Sequence, residues 1–236
     1  MATSGRIALV TGANRGIGFE VSRQLGRLGY HVLLSGRDAA KVAQAAEALR
    51  AEGFSISPLQ LDISDPASIQ AAAAQVTQEY GRLDVLVNNA AIYYMTRQKA
   101  SNVDLSLAQA AVQTNVLGAW QMAQAFLPLL RKGTHVRIVN VSSESGSIAR
   151  MKTSYDSAIY SMTKAALNAV TRMLAVDLKS EGILVNSICP GWVDTEMGGP
   201  GGRPIPDGAA SVVWAVTLPD DGPTGAFFQD GQPLPW

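Results

Sequence analysis

The stretch IALVTGANRGIG at residues 7–18 decides the fold expected for this chain. Its four leading apolar residues predict a short strand, and the helical pattern FEVSRQLGRL follows the glycines. Gly12 allows a sharp turn off the strand, Gly16 lets the backbone approach a pyrophosphate, and Gly18 lets the helix pack closely on the sheet. Free N–H groups at the helix N-terminus would complete a phosphate cradle. The spacing G-x-x-x-G-x-G differs from the commonest dinucleotide fingerprint, so a glycine-rich turn without a ligand stays open as the alternative.

Short β-branched strands alternate with longer alanine-rich helices along most of the chain. This alternation is typical of a parallel sheet covered by helices on both faces. We therefore predict an α/β fold: a single-domain, Rossmann-type doubly wound parallel sheet of about seven strands within residues 1–236. The predicted strands are IALV (7–10), HVLL (31–34), SISPLQL (55–61), LDVLV (83–87), VRIVNV (136–141), ILVNSI (183–188) and GAFFQ (225–229). Helices are expected to begin near Gly16, Asp38, Asp65, Val103 and Ser157, with a last helix at about 208–217.

The charge balance of the chain excludes several classes of partner. With 19 basic and 19 acidic residues, there is no net field to attract nucleic acid or an anionic membrane surface. No apolar run reaches the roughly 18 residues of a membrane span, and the apolar start of the chain is too short for a signal-peptide core. Cys189, the single cysteine, has no companion at metal-ligand spacing. We expect it to be a small core residue in a cytoplasmic protein that binds no metal and acts on a small molecule.

The end of the second predicted strand indicates which dinucleotide fits. An NAD site would place an acidic side chain there to bind the ribose hydroxyls, but the chain has Ser35-Gly36-Arg37. The guanidinium groups of Arg37 and Arg15 suit a 2′-phosphate in charge and in geometry. The missing acid and the two arginines together favour NADP(H).

Tyr160 and Lys164, in the stretch IYSMTK, lie one helical turn apart and so share a helix face. A cation beside a phenol stabilises the tyrosinate, and the pair can therefore act as a proton donor with an electrostatic helper. The spacing alone is weak evidence, because most such pairs are a half-buried tyrosine and a solvated lysine. Other motifs in the chain are needed to distinguish a catalytic pair from an ordinary half-buried tyrosine and solvated lysine.

Several motifs in order resemble the short-chain dehydrogenases/reductases, and within them the carbonyl reductase branch. The resemblance covers essentially the whole chain and rests on TGANRGIG (11–18), LD (61–62), LDVLVNNA (83–90), QTN (113–115), IVNVSS (138–143), YSMTK (160–164) and CPGWVDTEM (189–197). It implies that Tyr160 protonates the substrate oxygen, that Lys164 supports the tyrosinate and the nicotinamide ribose, and that Ser143 hydrogen-bonds the substrate. It also implies that Asn115 orders a water that relays protons to Lys164.

The resemblance further implies how the cofactor is held. Asp62 would contact the adenine, the Asn88-Asn89-Ala90 turn would support the sheet and the adenosine ribose, and the segment after the sixth strand would line the nicotinamide. The expected cofactor-binding set is Gly12, Asn14, Arg15, Gly16, Ile17, Gly18, Arg37, Asp62, Ile63, Asn89, Ala90, Tyr160, Lys164, Pro190, Gly191, Val193 and Thr195.

Two features depart from the family pattern. Ala91 stands where the family usually has glycine, and its methyl group would crowd a backbone with positive φ, so we expect a modest local adjustment. Residues 144–159, between Ser143 and Tyr160, are slightly longer than in the simplest members. They are far shorter than the insert that the resemblance associates with monomeric animal carbonyl reductases, so a homo-oligomer stays possible.

The stretch 190–208, crowded with glycine and proline, is expected to be an irregular and mobile loop that closes the substrate pocket. Four side chains near the cleft are expected to line that pocket: Tyr93, Tyr94, Trp192 and Met197.

Four other polar residues receive no part in the chemistry. Tyr155 has no lysine four residues later and is interpreted as a pocket or surface aromatic, and Ser142 is interpreted as structural. His31 and His135 are assigned to the surface, because neither has a carboxylate or serine partner at a recognisable spacing.

The leading functional prediction is the NADPH-dependent reduction of aldehydes or ketones to alcohols. Two alternatives stay open: an NAD(P)-dependent alcohol dehydrogenase acting oxidatively, and a non-catalytic NADP(H)-binding regulator. The regulator is disfavoured because Ser143, Tyr160 and Lys164 are all present. An epimerase or lyase of the extended relatives would need a larger C-terminal substrate domain than the chain after Pro190 provides.

Overall fold

The computed structural model describes residues 5–93, 99–151 and 157–236 and contains one eight-stranded sheet. The strand order is β3-β2-β1-β4-β5-β6-β7-β8; β1 to β7 are parallel, and β8 is antiparallel to β7. The strands are β1 Ile7–Val10, β2 His31–Gly36, β3 Ile56–Gln60, β4 Val85–Asn88, β5 Arg137–Val141, β6 Leu184–Ile188, β7 Phe227–Gln229 and β8 Gln232–Pro233. The predicted doubly wound fold is therefore confirmed, with one short strand more than expected.

The eighth strand follows a two-residue turn. Asp230 and Gly231 both have positive φ, 51° and 75°, and Gln229 pairs with Gln232 across them. An Asp-Gly turn of this kind suits a tight hairpin, because its twist matches that of the strands. The turn signal was present in the sequence, but a two-residue strand has no periodicity to detect.

Among the described residues, seven α-helices cover the two faces of the sheet. They are α1 Gly16–Arg27, α2 Ala39–Ala51, α3 Pro66–Glu79, α4 Leu105–Val112, α5 Ala119–Leu130, α6 Ala158–Leu178 and α7 Ile205–Val216. Asp38, Asp65 and Asp104 cap α2, α3 and α4, because each carboxylate accepts backbone N–H bonds at the helix start. The prediction that α7 begins near residue 208 was wrong. The helix begins at Ile205, because Pro206 lies in its first turn, where a missing N–H costs no hydrogen bond.

Apolar side chains form one core on each face of the sheet. Ala8 and Val10 of β1 point into the core beneath α1, α2 and α7, whereas Ile7 and Leu9 point into the core beneath α3, α5 and α6. Strands buried on both faces leave their carboxyl ends free to build a site at one edge.

The surface assignment of His31 was wrong. The residue begins β2 and is 9% exposed. Its ring lies 2.6 Å from Ser55 Oγ, 3.1 Å from Ser57 Oγ and 3.3 Å from the Tyr80 hydroxyl. The pairing of β2 with β3 and the packing of α3 bring these partners together, so their sequence spacing gave no signal. His135 is exposed, as expected, and pairs with Asp220 at 2.7 Å.

We expect His31 to make the fold sensitive to acid. Burial and, to a lesser degree, the charge of Arg50 lower the pKa of His31 below 6.5. The fold therefore favours the neutral imidazole, and this contribution is complete above pH 6.5 and is lost as the pH falls through the folded-state pKa. Between pH 7 and pH 5, the melting temperature of the wild type should fall by a few degrees more than that of His31→Gln. His135→Gln is the matched control, and equal pH profiles for the wild type and His31→Gln would contradict the assignment.

Candidate active site

A cleft lies at the carboxyl edge of the sheet, where the parallel strands β1, β5 and β6 end. It encloses a cavity of about 680 Å³. The cavity brings together most of the side chains expected around the nicotinamide and the substrate: Ile17, Tyr93, Ser143, Tyr160, Pro190, Gly191, Trp192, Val193, Thr195 and Met197. Its position is the one at which open α/β sheets bind their ligands.

The glycine-rich turn has the geometry of a phosphate cradle. Gly12 and Gly16 have φ of 62° and 59°, which side chains rarely adopt. A Cβ on Gly12 would lie 2.9 Å from Cα of Ala90, and one on Gly18 would lie 2.5 Å from Nδ2 of Asn89. These close approaches hold the turn against the end of β4, and only glycine fits both positions.

The N-terminus of α1 is left open toward the cleft. Arg15 occupies the N-cap position but makes no side-chain cap bond, and the first turn carries no acidic residue. The first N–H groups of the helix therefore keep their capacity to bind an anion. The cradle and this helix end fit the pyrophosphate of a dinucleotide.

The corner expected to hold the adenosine lies at the ends of β2 and β3. Arg37 is exposed there, and a Cβ on Gly36 would lie 3.1 Å from Oδ1 of Asn14, so the cradle packs directly on this corner. Asp62 Oδ1 accepts bonds from the N–H of Ser64 at 2.9 Å and from its hydroxyl at 2.6 Å. Ile63 is buried beside this turn.

Ala91 causes no backbone strain. In the described part of the chain, the residues other than glycine with positive φ are His135 and Asp230. The methyl group is therefore accommodated in an ordinary conformation, and no adjustment of the kind expected for a positive φ is needed.

Tyr160 and Lys164 lie on α6, and the Lys164 Nζ is 5.5 Å from the centre of the Tyr160 ring. The ammonium donates to the Val141 carbonyl at 2.7 Å and is buried. Burial lowers the pKa of Lys164 to about 8, with Cys189 acting weakly in the opposite direction. Burial also raises the pKa of the Cys189 thiol, so the thiol stays neutral near pH 7. It therefore does little to offset the lowering of the Lys164 pKa. The edge of the Tyr93 ring packs on Tyr160 with centroids 5.0 Å apart.

Ser143 directly follows β5 and opens a short 3-10 turn, Glu144–Gly146. Its Oγ accepts the N–H of Ser145 at 3.2 Å, which leaves its hydroxyl proton for another acceptor. Ser142 is buried, and its backbone N–H donates to Ile188 at 2.7 Å, so it joins β5 to β6.

Asn115 lies in a π-helical segment, Gln113–Gly118, rather than in the regular helix expected from the sequence. Its amide bonds both backbone groups of Ile92, at 2.8 and 2.9 Å, and donates to Thr163 Oγ1 at 3.1 Å. The wider turn explains an asparagine at this position, because π-segments interrupt helices at functional sites. Its side chain is thus committed to protein partners, and the proposed water relay stays a prediction.

The segment after β6 contains regular backbone pairings despite its glycine and proline content, and its mobility stays a prediction. Short bridges pair Val193 with Arg203 and Thr195 with Gly199, and Arg203 binds Asp230 at 2.8 Å. The loop ends at Pro204, because residues 205–208 belong to α7. Tyr94 and Tyr155 lie outside the described residues.

Several lining residues were not singled out from the sequence for this role: Ser142, Glu144, Ser145, Cys189, Gly198 and Gln229. Cys189 is a buried residue, as expected, and its Sγ accepts the N–H groups of Glu144 and Gly191 at 3.2 and 3.3 Å. Glu144 follows Ser143 just after β5, and this position is a sequence signal that could have indicated its place in the lining.

A family model described as short chain dehydrogenase matches residues 6–203. The chain belongs to the short-chain dehydrogenase family. The match runs from β1 through the segment after β6, so it includes both the cradle and the Tyr160–Lys164 helix.

Relatives and solved structures extend the family assignment over the whole chain. The chain is 34% identical to carbonyl reductase (NADPH) 1 of Sus scrofa, over 100% of this chain and 96% of that protein. It is 33% identical to (+)-neomenthol dehydrogenase of Arabidopsis thaliana, over 96% and 97%. The NADPH-bound carbonyl reductase from chicken fatty liver superposes with a TM-score of 0.88 at 31% identity, over 98% and 99%. The alignment with the Sus scrofa protein spans 282 residues, so that relative carries segments that this family member lacks.

Two kinds of feature are absent from the described residues. No helix among them is long and apolar enough to cross a membrane. No cluster of three or more histidine, cysteine, aspartate or glutamate side chains within residues 5–93, 99–151 and 157–236 has the arrangement of a metal site.

Proposed function

We propose that this protein reduces aldehyde or ketone carbonyls to alcohols with NADPH. The observation that carries the proposal is a single cavity, which reaches from Ile17 beside the phosphate cradle to Ser143 and Tyr160. A small molecule bound in this cavity would contact the cofactor and the reacting side chains at the same time. Two of the relatives, the Sus scrofa protein and the chicken liver structure, are named as NADPH carbonyl reductases and match almost the full chain, which supports the same reaction.

The residues that would hold NADPH lie along this cleft. The cradle and the open end of α1 would bind the pyrophosphate, and Arg37 and Arg15 would bind the 2′-phosphate. Asp62 and Ile63 would meet the adenine, and Asn89 and Ala90 the adenosine ribose. The nicotinamide would be lined by Pro190, Gly191, Val193 and Thr195.

The bound nicotinamide supplies the hydride for such a reduction. Tyr160 gives a proton to the carbonyl oxygen, and the buried ammonium of Lys164 stabilises the tyrosinate that remains. Ser143 directs its hydroxyl proton to the same oxygen and stabilises the developing negative charge. Asn115 holds the backbone at Ile92, next to Tyr93, and so supports the wall on which Tyr160 packs.

We also propose that residues 1–236 act as one domain, because one sheet carries both the cradle and the reacting side chains. A small carbonyl compound is the proposed partner. An unpaired thiol at Cys189 fits a reducing, cytoplasmic setting.

A screen of NADPH oxidation against aliphatic, aromatic and cyclic carbonyls tests the proposal. We expect turnover with at least one class and a poorer rate with NADH. NADPH binding without turnover of any carbonyl would favour the non-catalytic regulator. Oxidation of alcohols with NAD⁺ in preference to NADP⁺ would favour the oxidative alcohol dehydrogenase.

Arg37→Ala should lower the preference for NADPH over NADH about 10- to 100-fold, because a charge-assisted bond to the 2′-phosphate contributes about 1.5 to 3 kcal/mol. The measurement is kcat/KM for both cofactors. Arg27→Ala, which removes an exposed arginine at the far end of α1, is the matched control. An unchanged ratio in Arg37→Ala would show that this corner is not the phosphate site.

A further inference from the structure

An ion pair joins the two walls of the cleft. Nη1 of Arg15, in the glycine-rich turn, contacts Oε2 of Glu196, in the segment after β6. The sequence prediction placed Arg15 at the 2′-phosphate, but its guanidinium already has a carboxylate partner in this structure. Glu196 has no part in the proposed reduction.

Glu196 stands at the tip of a closed turn. The N–H of Gly199 donates to the Thr195 carbonyl at 2.8 Å, and the N–H of Gly198 donates to Thr195 Oγ1 at 3.0 Å. These bonds fix the backbone on both sides of Glu196. The turn also packs on the cradle, since a Cβ on Gly16 would lie 3.8 Å from Thr195 Cγ2. The turn therefore places the backbone of Glu196 beside the cradle, within reach of Arg15.

The other arginine of the predicted phosphate site differs. Arg37 is exposed and has no carboxylate at ion-pair distance among the residues that the structure describes. Asn14 lies against Gly36. These two residues directly precede Arg15 and Arg37 in the chain, so both arginines adjoin one corner of the cleft. Of these two arginines, Arg15 is the one whose guanidinium already binds a carboxylate. A phosphate at Arg15 must therefore displace Glu196 or share the guanidinium with it.

We propose that Glu196 is a specificity-determining residue that competes with the 2′-phosphate of NADP(H) for Arg15. The inference rests on the proposed function. Glu196 opposes NADP(H) binding because it occupies the guanidinium that the 2′-phosphate would bind. NAD(H), which lacks the 2′-phosphate, is not subject to this competition.

The exposure of the pair sets the size of the effect. The side chains of Arg15 and Glu196 are 66% and 74% exposed, so solvent and salt weaken their attraction. A phosphate monoester carries more negative charge than a carboxylate near pH 7, so it binds the guanidinium more strongly and displaces Glu196. Glu196 therefore tempers the preference for NADP(H) without abolishing it, by about two- to fivefold.

Calorimetric titration of NADP⁺ and NAD⁺ into four proteins tests the competition: wild type, Glu196→Gln, Arg15→Ala and the double variant. Glu196→Gln should bind NADP⁺ about two to five times more tightly at low salt and NAD⁺ unchanged. The gain should shrink as salt is added, and it should vanish in the Arg15→Ala background. Glu181→Gln, which removes a carboxylate paired with Arg131 on the surface, is the matched control for the change in net charge.

The outcomes separate this inference from the proposed function. A wild type that binds NADP⁺ no better than NAD⁺ would overturn the NADPH assignment itself. A wild type that prefers NADP⁺, with a Glu196→Gln variant whose NADP⁺ affinity is unchanged or weaker, would overturn the competition alone. A gain that persists without Arg15, or that appears equally in Glu181→Gln, would also overturn the competition alone.

Discussion

Tyr160→Phe is expected to lower kcat by about 100- to 10,000-fold, the range that a positioned proton donor contributes. The substitution removes one oxygen from a residue that lines the cavity and keeps the ring, so its packing against Tyr93 is preserved. Affinity for NADPH should stay close to that of the wild type. Turnover under saturating substrate and calorimetric titration of NADPH separate the two effects.

Tyr30→Phe is the matched control for this prediction. It removes a phenol hydroxyl that accepts a hydrogen bond from Arg6 at 3.3 Å. Tyr30 does not line the cavity, so the change leaves the site intact. A Tyr160→Phe variant that keeps more than about one-hundredth of the wild-type rate would show that another group gives the proton.

Lys164→Met is expected to destroy activity and to stabilise the fold. Loss of the ammonium removes the charge that supports the tyrosinate, and turnover should fall by at least about 100-fold. NADPH should bind about 10-fold more weakly if the ammonium also holds the nicotinamide ribose.

The stability change follows from the pKa of Lys164, which burial lowers from 10.5 to about 8. The fold disfavours the charged form, and this penalty is fully present below about pH 8 and disappears as the pH rises above 10.5. At pH 7 the Met variant should be more stable by about 1 to 3 kcal/mol, after allowing for the lost bond to Val141. Its advantage in melting temperature should shrink between pH 8 and pH 10.5.

Lys179→Met, at the exposed end of α6, is the control for both measurements. It should change neither the rate nor the pH dependence of stability. A Lys164→Met variant that is less stable than the wild type at pH 7, or that turns over normally, would contradict the interpretation of Lys164 as a strained, functional lysine.

The sequence was sufficient for the features that depend on local chemistry. Gly12 was expected to turn the chain sharply and Gly16 to let the backbone approach a ligand, and both have positive φ, which side chains rarely adopt. Asp38 and Asp65 were expected to open helices, and their carboxylates cap α2 and α3. Such features depend on a residue and its immediate neighbours, which a sequence displays directly.

The features that were missed depend on distant contacts. His31 meets Ser55, Ser57 and Tyr80 only because β2 and β3 pair and α3 packs beside them. Arg15 meets Glu196 across the cleft, and no spacing in the sequence relates the two. The π-segment around Asn115 widens a helix by a register change that leaves no mark on apolar periodicity. The roles of the site residues stay predictions for the same reason, because they depend on a ligand as well as on the fold.

Transfer of deuterium from labelled NADPH tests the central claim most directly. The purified protein is incubated with NADPH carrying deuterium at C4, as the 4R and 4S forms separately, and with a carbonyl substrate found by the screen. We expect one deuterium on the carbinol carbon of the alcohol from one of the two forms, in proportion to the NADP⁺ produced. The same transfer should be lost in Tyr160→Phe. An alcohol that carries no label from either form, or NADPH consumption without alcohol, would contradict the claim that this cleft reduces carbonyls with NADPH.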